Sequence, residues 1–564
     1  MARLTSTRAK AQEEAAAELT ALGFKDKEGE AGRWAELRPP AGAYKLEVSL
    51  PKSFPDELPE VYVADYKSIK EPLPHLEHTG KVCIAPSGGV LIDVTRPRDV
   101  VKQAIEQARR TIEDAAKNTV NGDLQREFLA YWDSDEKDKF SMVGSLPAAE
   151  GEFLVLNASS GGLFQHLLAP TQEEAKAWAI RAGLTPKMAY KAYHLPLTKA
   201  LIPPRFDDRW TTKQFFERLS AEGIDSDAAL LWILEQPRLP LDLILSMPGT
   251  SGNIAVGVRF YPQIGPVKEA TAGDYLKTHP DAPAKRLSVK RLDADFLLSR
   301  GGGIPPLIGK TVVLVGCGAV GSQVAKLLAL LGVGALHLTD PETLGEENIH
   351  RHLLGAGHIG RNKAAAIAML LGRDYPHLKF FAHEKAALEL FESNPALFTS
   401  AEAVMFATGD ETLELRFDAL LVGGPPRVHA WVEPVGLGGH TLAVGPGVGG
   451  CLHCLYPENV GTNVASFVQP GQRIRRSFAG CAGDFLPFSA VDAMRTATEA
   501  ANLLARVLVA EETQSVLISW HGDTAGAAKA TIELTQKVAQ FSPGERRRIE
   551  DIRRLDCLNC SGNQ

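Results

Sequence analysis

Thr311-Val312-Val313-Leu314-Val315 is an unbroken strand-forming run that leads directly into Gly316-Cys317-Gly318-Ala319-Val320-Gly321 and an apolar stretch ending at Leu331. A second such run, Ala335-Leu336-His337-Leu338-Thr339, comes next and closes on Asp340. Strand, glycine loop, helix and strand in that order predict a parallel βαβ unit, because parallel neighbours need a crossover and the helix supplies it. The glycines let the backbone turn tightly and approach phosphates, and the helix N-terminus favours negative charge. A carboxylate ending the second strand can hold ribose hydroxyls. Gly316, Gly318, Gly321 and Asp340 therefore point to a nucleotide, a pattern that dinucleotide oxidoreductases share with other nucleotide enzymes.

At 564 residues the chain exceeds what one hydrophobic core usually supports, so two to four domains are expected. Its 45% apolar and 23% charged residues are those of an ordinary globular protein, and a net charge of −7 argues against a general nucleic-acid binder. No apolar run reaches the ~18 residues of a membrane span, and the N-terminus lacks the apolar core of a signal peptide. A cytoplasmic, reducing location is expected, where paired cysteines are more often metal ligands than disulfides.

Residues 8–23 read as a helix. Tyr44, Leu46, Val48 and Leu50 alternate with polar residues as a half-buried strand, Val61-Tyr62-Val63 gives another, and 98–117 shows helical periodicity. Together they predict an α+β domain over 1–145. Residues 146–300, with strands at 153–156 and 243–245 and helices at 172–182 and 212–221, carry no catalytic signature and read as an α/β spacer domain. Gly301-Gly302-Gly303 reads as a junction or as a loop inside one unit, and 301–564 alternates strand and helix as a Rossmann-like parallel α/β domain.

The segments downstream of Asp340 separate the nucleotide candidates. Asn348-Ile349-His350-Arg351, Gly360-Arg361-Asn362-Lys363 and Ala407-Thr408-Gly409-Asp410 supply cations and a further carboxylate, for which an NAD site has little use. An ATP site cleaved at the α-phosphate needs cations for the triphosphate and a carboxylate for magnesium. The order resembles the ThiF/MoeB and ubiquitin-activating adenylation family over about residues 310–560. That resemblance implies Asp340 on the ribose, Asn348, Arg351 and Lys363 around the phosphates, and Asp410 on Mg2+. It also implies a homodimer, in which an upstream arginine, Arg291 or Arg300, reaches the ATP of the other subunit.

The seven cysteines divide by context. Cys451-Leu452-His453-Cys454 and Cys557-Leu558-Asn559-Cys560 can present four thiolates to one structural Zn2+, two disulfides being the alternative. The ThiF/MoeB-like proteins carry the same two pairs, and His453 reads as a bystander. Cys317 reads as a small residue of the phosphate loop. Cys481, in Phe478-Ala479-Gly480-Cys481-Ala482-Gly483, lies among small residues that suggest an accessible loop. In the resembling enzymes a cysteine there takes the acyl group from an acyl-adenylate.

Leu73-Pro74-His75 and Gly80-Lys81-Val82-Cys83 resemble a ubiquitin-conjugating enzyme, with Cys83 as acceptor. Of that family's His-Pro-Asn triplet only the proline matches. His75 stands where the oxyanion-binding asparagine would be and is expected to donate in its place. The family's downstream tryptophan is missing as well. A conjugating-like domain, a spacer and an adenylation domain in one chain resemble the activating–conjugating enzymes of bacterial CBASS antiphage operons. This implies that the C-terminal carboxylate of a cGAS-like nucleotidyltransferase is adenylated, passed to Cys481, then to Cys83, and finally to a target lysine. A sulfur-carrier activator whose N-terminal domain only docks the carrier is the alternative. Neither nucleic acid nor membrane is an expected partner.

Overall fold

The computed structural model describes residues 2–27, 30, 32–69, 72–84, 90–117, 127–132, 140–147, 149–160, 163–205, 208–249, 252–262, 271–445, 449–458, 462–472, 474, 476–477 and 484–560. Three large sheets follow one another along the chain, with a two-stranded pair, Arg476–Ser477 and Asp484–Phe485, besides. The first is an antiparallel meander of Phe24–Asp26, Arg33–Glu36, Leu46–Ser49 and Glu60–Val63. Leu46 and Val48 are buried while Glu47 and Ser49 face outward, the period of two that a one-sided sheet requires. Helices Ala2–Ala21 and Pro97–Lys117 share the same core. Pro97 opens its helix with φ already suited to the first turn, and Val101, Ala104, Ile105, Ala108, Ile112 and Ala115 form the buried stripe.

A short helix, Phe128–Trp132, touches both the first unit and the second. Tyr131 donates its hydroxyl to the Leu73 carbonyl at 2.6 Å, and Trp132 Nε1 donates to the Gly257 carbonyl at 3.3 Å. The second sheet departs from a simple α/β layer. Its strands run in the order Ile254–Phe260, Leu241–Met247, Thr185–Pro196, Gly151–Ser160, Leu163–Leu168, Phe140–Met142, Pro283–Arg291 and Trp210–Thr211, and Pro283–Arg291 also pairs with Ile254–Phe260. The sheet thus closes on itself, which removes the exposed edges that an open sheet of this length would leave. Phe140–Met142, on the N-terminal side of the expected boundary, hydrogen-bonds into this second sheet.

The third sheet is ordered Lys379–His383, Ala335–Thr339, Thr311–Val315, Ala403–Phe406, Arg427–Val432, Gly438–Val444, Val516–His521 and Arg546–Glu550. The first five strands are parallel and the last three antiparallel. Thr311–Val315 continues to Ala335–Thr339 on one side, and the chain later returns to Ala403–Phe406 on the other. The order therefore reverses at Thr311–Val315, and the crevice beyond its carboxyl end is where such sheets bind ligands. Among the described residues no helix is long and apolar enough to cross a membrane.

Candidate functional site

The glycine loop sits at that reversal. Gly316 has φ +88° and lies so close to the end of Ala403–Phe406 that a Cβ would stand 2.8 Å from the Ala407 carbonyl oxygen. Gly321 packs the helix Ala319–Leu331 onto the loop, since a Cβ there would fall 1.9 Å from the Gly316 oxygen. Gly318 differs: a Cβ would meet nothing within 4 Å, so the space beside it is open for a ligand. Gly318→Ala is accordingly expected to melt like the parent while binding ATP at least about tenfold more weakly. Gly321→Ala should be destabilised by about 1–3 kcal/mol through overpacking. Thermal melting with ATP titration separates the two.

Asp340 is 7% exposed and accepts backbone N–H groups from Cys317 at 2.7 Å and Glu342 at 2.8 Å. Burial raises its pKa, against the pull of those two donors and of Lys363. Lys363 opens the helix Lys363–Asp374, which Asn362 caps, and its ammonium pairs with Glu342. The 348–351 segment is pinned to the loop by His352, a residue that no motif marks. Its Nε2 donates to the Cys317 carbonyl at 2.7 Å while Nδ1 accepts from the Leu354 N–H at 3.0 Å. Burial lowers the His352 pKa and favours this neutral ring. Arg351 lies 5.0 Å over the Phe488 ring and reaches the Leu486 carbonyl at 3.5 Å, while Asn348 donates to Glu347 at 2.7 Å. Cys317 is fully buried and its thiol is pushed well up by burial, which rules it out as a nucleophile.

Across the crevice, Asp410 caps the helix Glu411–Leu420, one carboxylate oxygen accepting the Leu413 N–H at 3.0 Å. Behind it Thr408 donates to Glu414 at 2.6 Å, and Glu414 accepts from His429 at 2.8 Å. A cavity of about 380 Å³ runs from Gly318–Val320 past Thr408, Glu414 and Glu433 to Leu486 and Phe488. Those last two residues lie just beyond Cys481, which itself falls outside the described residues.

The four paired cysteines converge. Cys451 and Cys454 sulfurs are 3.9 Å apart, Cys451 and Cys557 3.6 Å, and Cys454 and Cys560 3.5 Å. A tetrahedron with metal–sulfur bonds of ~2.3 Å has edges of about 3.8 Å, whereas a disulfide needs about 2.05 Å. The donor set fits a closed metal centre. Beneath it, fully buried Asp418 accepts from His453 at 3.0 Å and from Asn559 at 3.1 Å, one residue from within each Cys-x-x-Cys turn. Asp418 is itself paired with Arg427 at 2.9 Å. His453 and Asn559 thus tie both turns to the same buried carboxylate.

Of the two upstream arginines, Arg291 is committed to Asp293 at 2.6 and 2.8 Å and to the Asn253 carbonyl at 2.7 Å. Arg300 is exposed in the last turn of the helix Ala294–Gly301 and lies 5.8 Å over Phe296.

Cys83 stands exposed on the first unit, at the end of a hairpin in which Leu76 faces Val82. Its N–H donates to the His75 carbonyl at 2.8 Å. His75 has φ +64°, and Glu127 touches it twice, accepting the backbone N–H at 2.9 Å and lying 2.7 Å from Nδ1.

Residues 306–531 match the ThiF family and residues 9–141 match Prokaryotic E2 family B. The ATP-dependent ubiquitin transferase-like protein Cap2 of Pseudomonas aeruginosa is 24% identical over 461 residues, covering 76% of this chain and 79% of that protein. The adenylyltransferase and sulfurtransferase MOCS3 of Mus musculus is 28% identical over 187 residues, covering 32% of this chain and 39% of its own length. The crystal structure of E. coli MccB with ATP aligns at 16% identity and a TM-score of 0.34, covering 45% of this chain and 67% of that one. The chain is thus a fusion of a prokaryotic E2 family B domain with a ThiF family domain, similar over three quarters of its length to a Cap2 protein.

Proposed function

We propose that the chain activates the C-terminal carboxylate of a protein with ATP and conjugates that protein to a target amine through two cysteine thioesters. The observation that carries the reading is the cavity extending from the glycine loop at Gly318 to Leu486 and Phe488, which follow Cys481 in the sequence. An extended C-terminal tail laid along it brings its carboxylate to the α-phosphate. The carboxylate oxygen attacks that phosphorus and pyrophosphate leaves. Asn348, Arg351 and Lys363 hold the phosphates, with Lys363 exchanging Glu342 for ATP, and Asp340 holds the ribose. Asp410 would hold Mg2+, which supplies charge neutralisation on the triphosphate. The Cys481 sulfur then displaces AMP, Cys83 receives the acyl group by thioester exchange, and a lysine amine takes it from Cys83.

Structural Zn2+ is proposed for the four cysteines, where it would clip the C-terminal turn to the body of the domain. A homodimer is proposed as well, with Arg300 serving the ATP of the second copy because Arg291 is already engaged. The similarity to an ATP-dependent ubiquitin transferase-like protein supports the conjugation step. The resemblance to the activating–conjugating enzymes of CBASS antiphage operons supports a cGAS-like nucleotidyltransferase as the activated protein, an antiphage role and a cytoplasmic setting. The test is ATP turnover to AMP and pyrophosphate in the presence of such a nucleotidyltransferase. Stimulation should vanish when the last residues of that protein are removed, and turnover indifferent to its C-terminus would overturn the reading.

A further inference from the structure

The hairpin carrying Cys83 also carries a histidine, His75, that the acyl relay does not use. His75 and Cys83 stand opposite each other, because Leu76 faces Val82 antiparallel and the Cys83 N–H reaches the His75 carbonyl at 2.8 Å. In a regular ladder the His75 N–H would answer toward Cys83. It is turned instead to Glu127 at 2.9 Å, and the histidine takes φ +64°, a conformation uncommon for side chains of this size. The other carboxylate oxygen of Glu127 lies 2.7 Å from His75 Nδ1, an ion-pair contact. Beside it Tyr131 ties down the same loop, donating to the Leu73 carbonyl at 2.6 Å and the Leu76 carbonyl at 3.3 Å. Residues distant in sequence thus hold a histidine at positive φ directly across the hairpin from the exposed Cys83.

A neutral imidazole with Nδ1 toward a carboxylate carries its free lone pair on Nε2 and can accept a proton there. We propose that Glu127 and His75 form a dyad in which His75 accepts the Cys83 proton and Glu127 positions the ring. The inference rests on the reading of Cys83 as an acyl acceptor. As the Cys83 sulfur bonds to the carbonyl carbon of the incoming thioester, its proton moves to His75 Nε2. The carbon–sulfur bond to the donor cysteine breaks, and the departing thiolate takes the proton back from the imidazolium.

The test is alkylation of Cys83 in the full chain by iodoacetamide at pH 7, without ATP or protein substrate, followed by mass spectrometry of the Cys83 peptide. An ordinary cysteine is only a few per cent thiolate at that pH, which sets a ceiling of about thirtyfold on the acceleration a base can give. His75→Gln is expected to slow alkylation about tenfold and Glu127→Gln about threefold. The Glu127→Gln amide can still accept the His75 N–H, which keeps the loop in place. A purely structural dyad predicts the opposite, because loosening a hairpin around an exposed thiol leaves its rate unchanged or raises it. Unchanged or faster alkylation in either variant overturns the proposal. Slower alkylation in both variants supports the dyad even if no ATP-dependent conjugate forms, an outcome that would count against the proposed function alone.

Discussion

Cys557→Ala is expected to abolish binding of the proposed Zn2+ and to lower the melting temperature of the C-terminal half by about 10 °C. The sulfurs of Cys451, Cys454, Cys557 and Cys560 already stand at the separations a tetrahedral ion imposes. Structural zinc sites contribute about 10–16 kcal/mol of binding in small peptides, most of it realised only on folding. This domain has a large core of its own, so a smaller net loss, about 4 kcal/mol, is expected, at roughly 2–4 °C per kcal/mol for a unit of this size. Asp418→Asn should act in the same direction but less strongly, by about tenfold in metal retention against a chelator, because it weakens the frame and keeps all four thiols. Metal analysis and calorimetry on the two variants test both statements. Unchanged metal content in Cys557→Ala would remove the assignment.

The second large effect concerns adenylate formation. Asp410→Asn is expected to reduce ATP–pyrophosphate exchange at least about 100-fold with little change in melting temperature. Asparagine caps a helix as well as aspartate does, so the bond to the Leu413 N–H survives while the charge is lost. Asp410→Ala should lose the same activity and about 1 kcal/mol of stability in addition. Arg351→Lys keeps the charge but neither the planar fork nor the stacking on Phe488, so a loss of similar size is expected. Retained exchange in both Asp410→Asn and Arg351→Lys would move the reaction away from this crevice.

The phosphate loop was legible because its information is contiguous: Thr311 to Asp340 states strand, turn, helix and strand in one stretch. The helix Thr212–Ala221 was legible for a similar reason, since Thr211 and Gln214 form a local capping box in front of an apolar stripe. The closure of the central sheet was not. It depends on Ile254–Phe260 pairing with Pro283–Arg291, a long-range choice on which strand periodicity is silent. The relations between site residues were hidden in the same way. His352 reads as one more histidine until it is seen to donate to Cys317, and His453 reads as filler until Asp418 joins it to Asn559. His75 was legible as the residue in place of an asparagine. Its pairing with Glu127 was not, because the two residues lie 52 positions apart and no motif joins them.

The central claim is an ordered acyl relay from Cys481 to Cys83, and trapping of thiol-labile adducts tests it most directly. Wild-type chain, Cys481→Ala and Cys83→Ala are each given Mg–ATP and the nucleotidyltransferase substrate, quenched in acid, and resolved with and without reductant. The account predicts that Cys83→Ala holds the substrate on Cys481 as a reductant-labile adduct and makes no lysine conjugate, while Cys481→Ala forms neither thioester. A Cys83 thioester in Cys481→Ala, or lysine conjugates from Cys83→Ala, would contradict it.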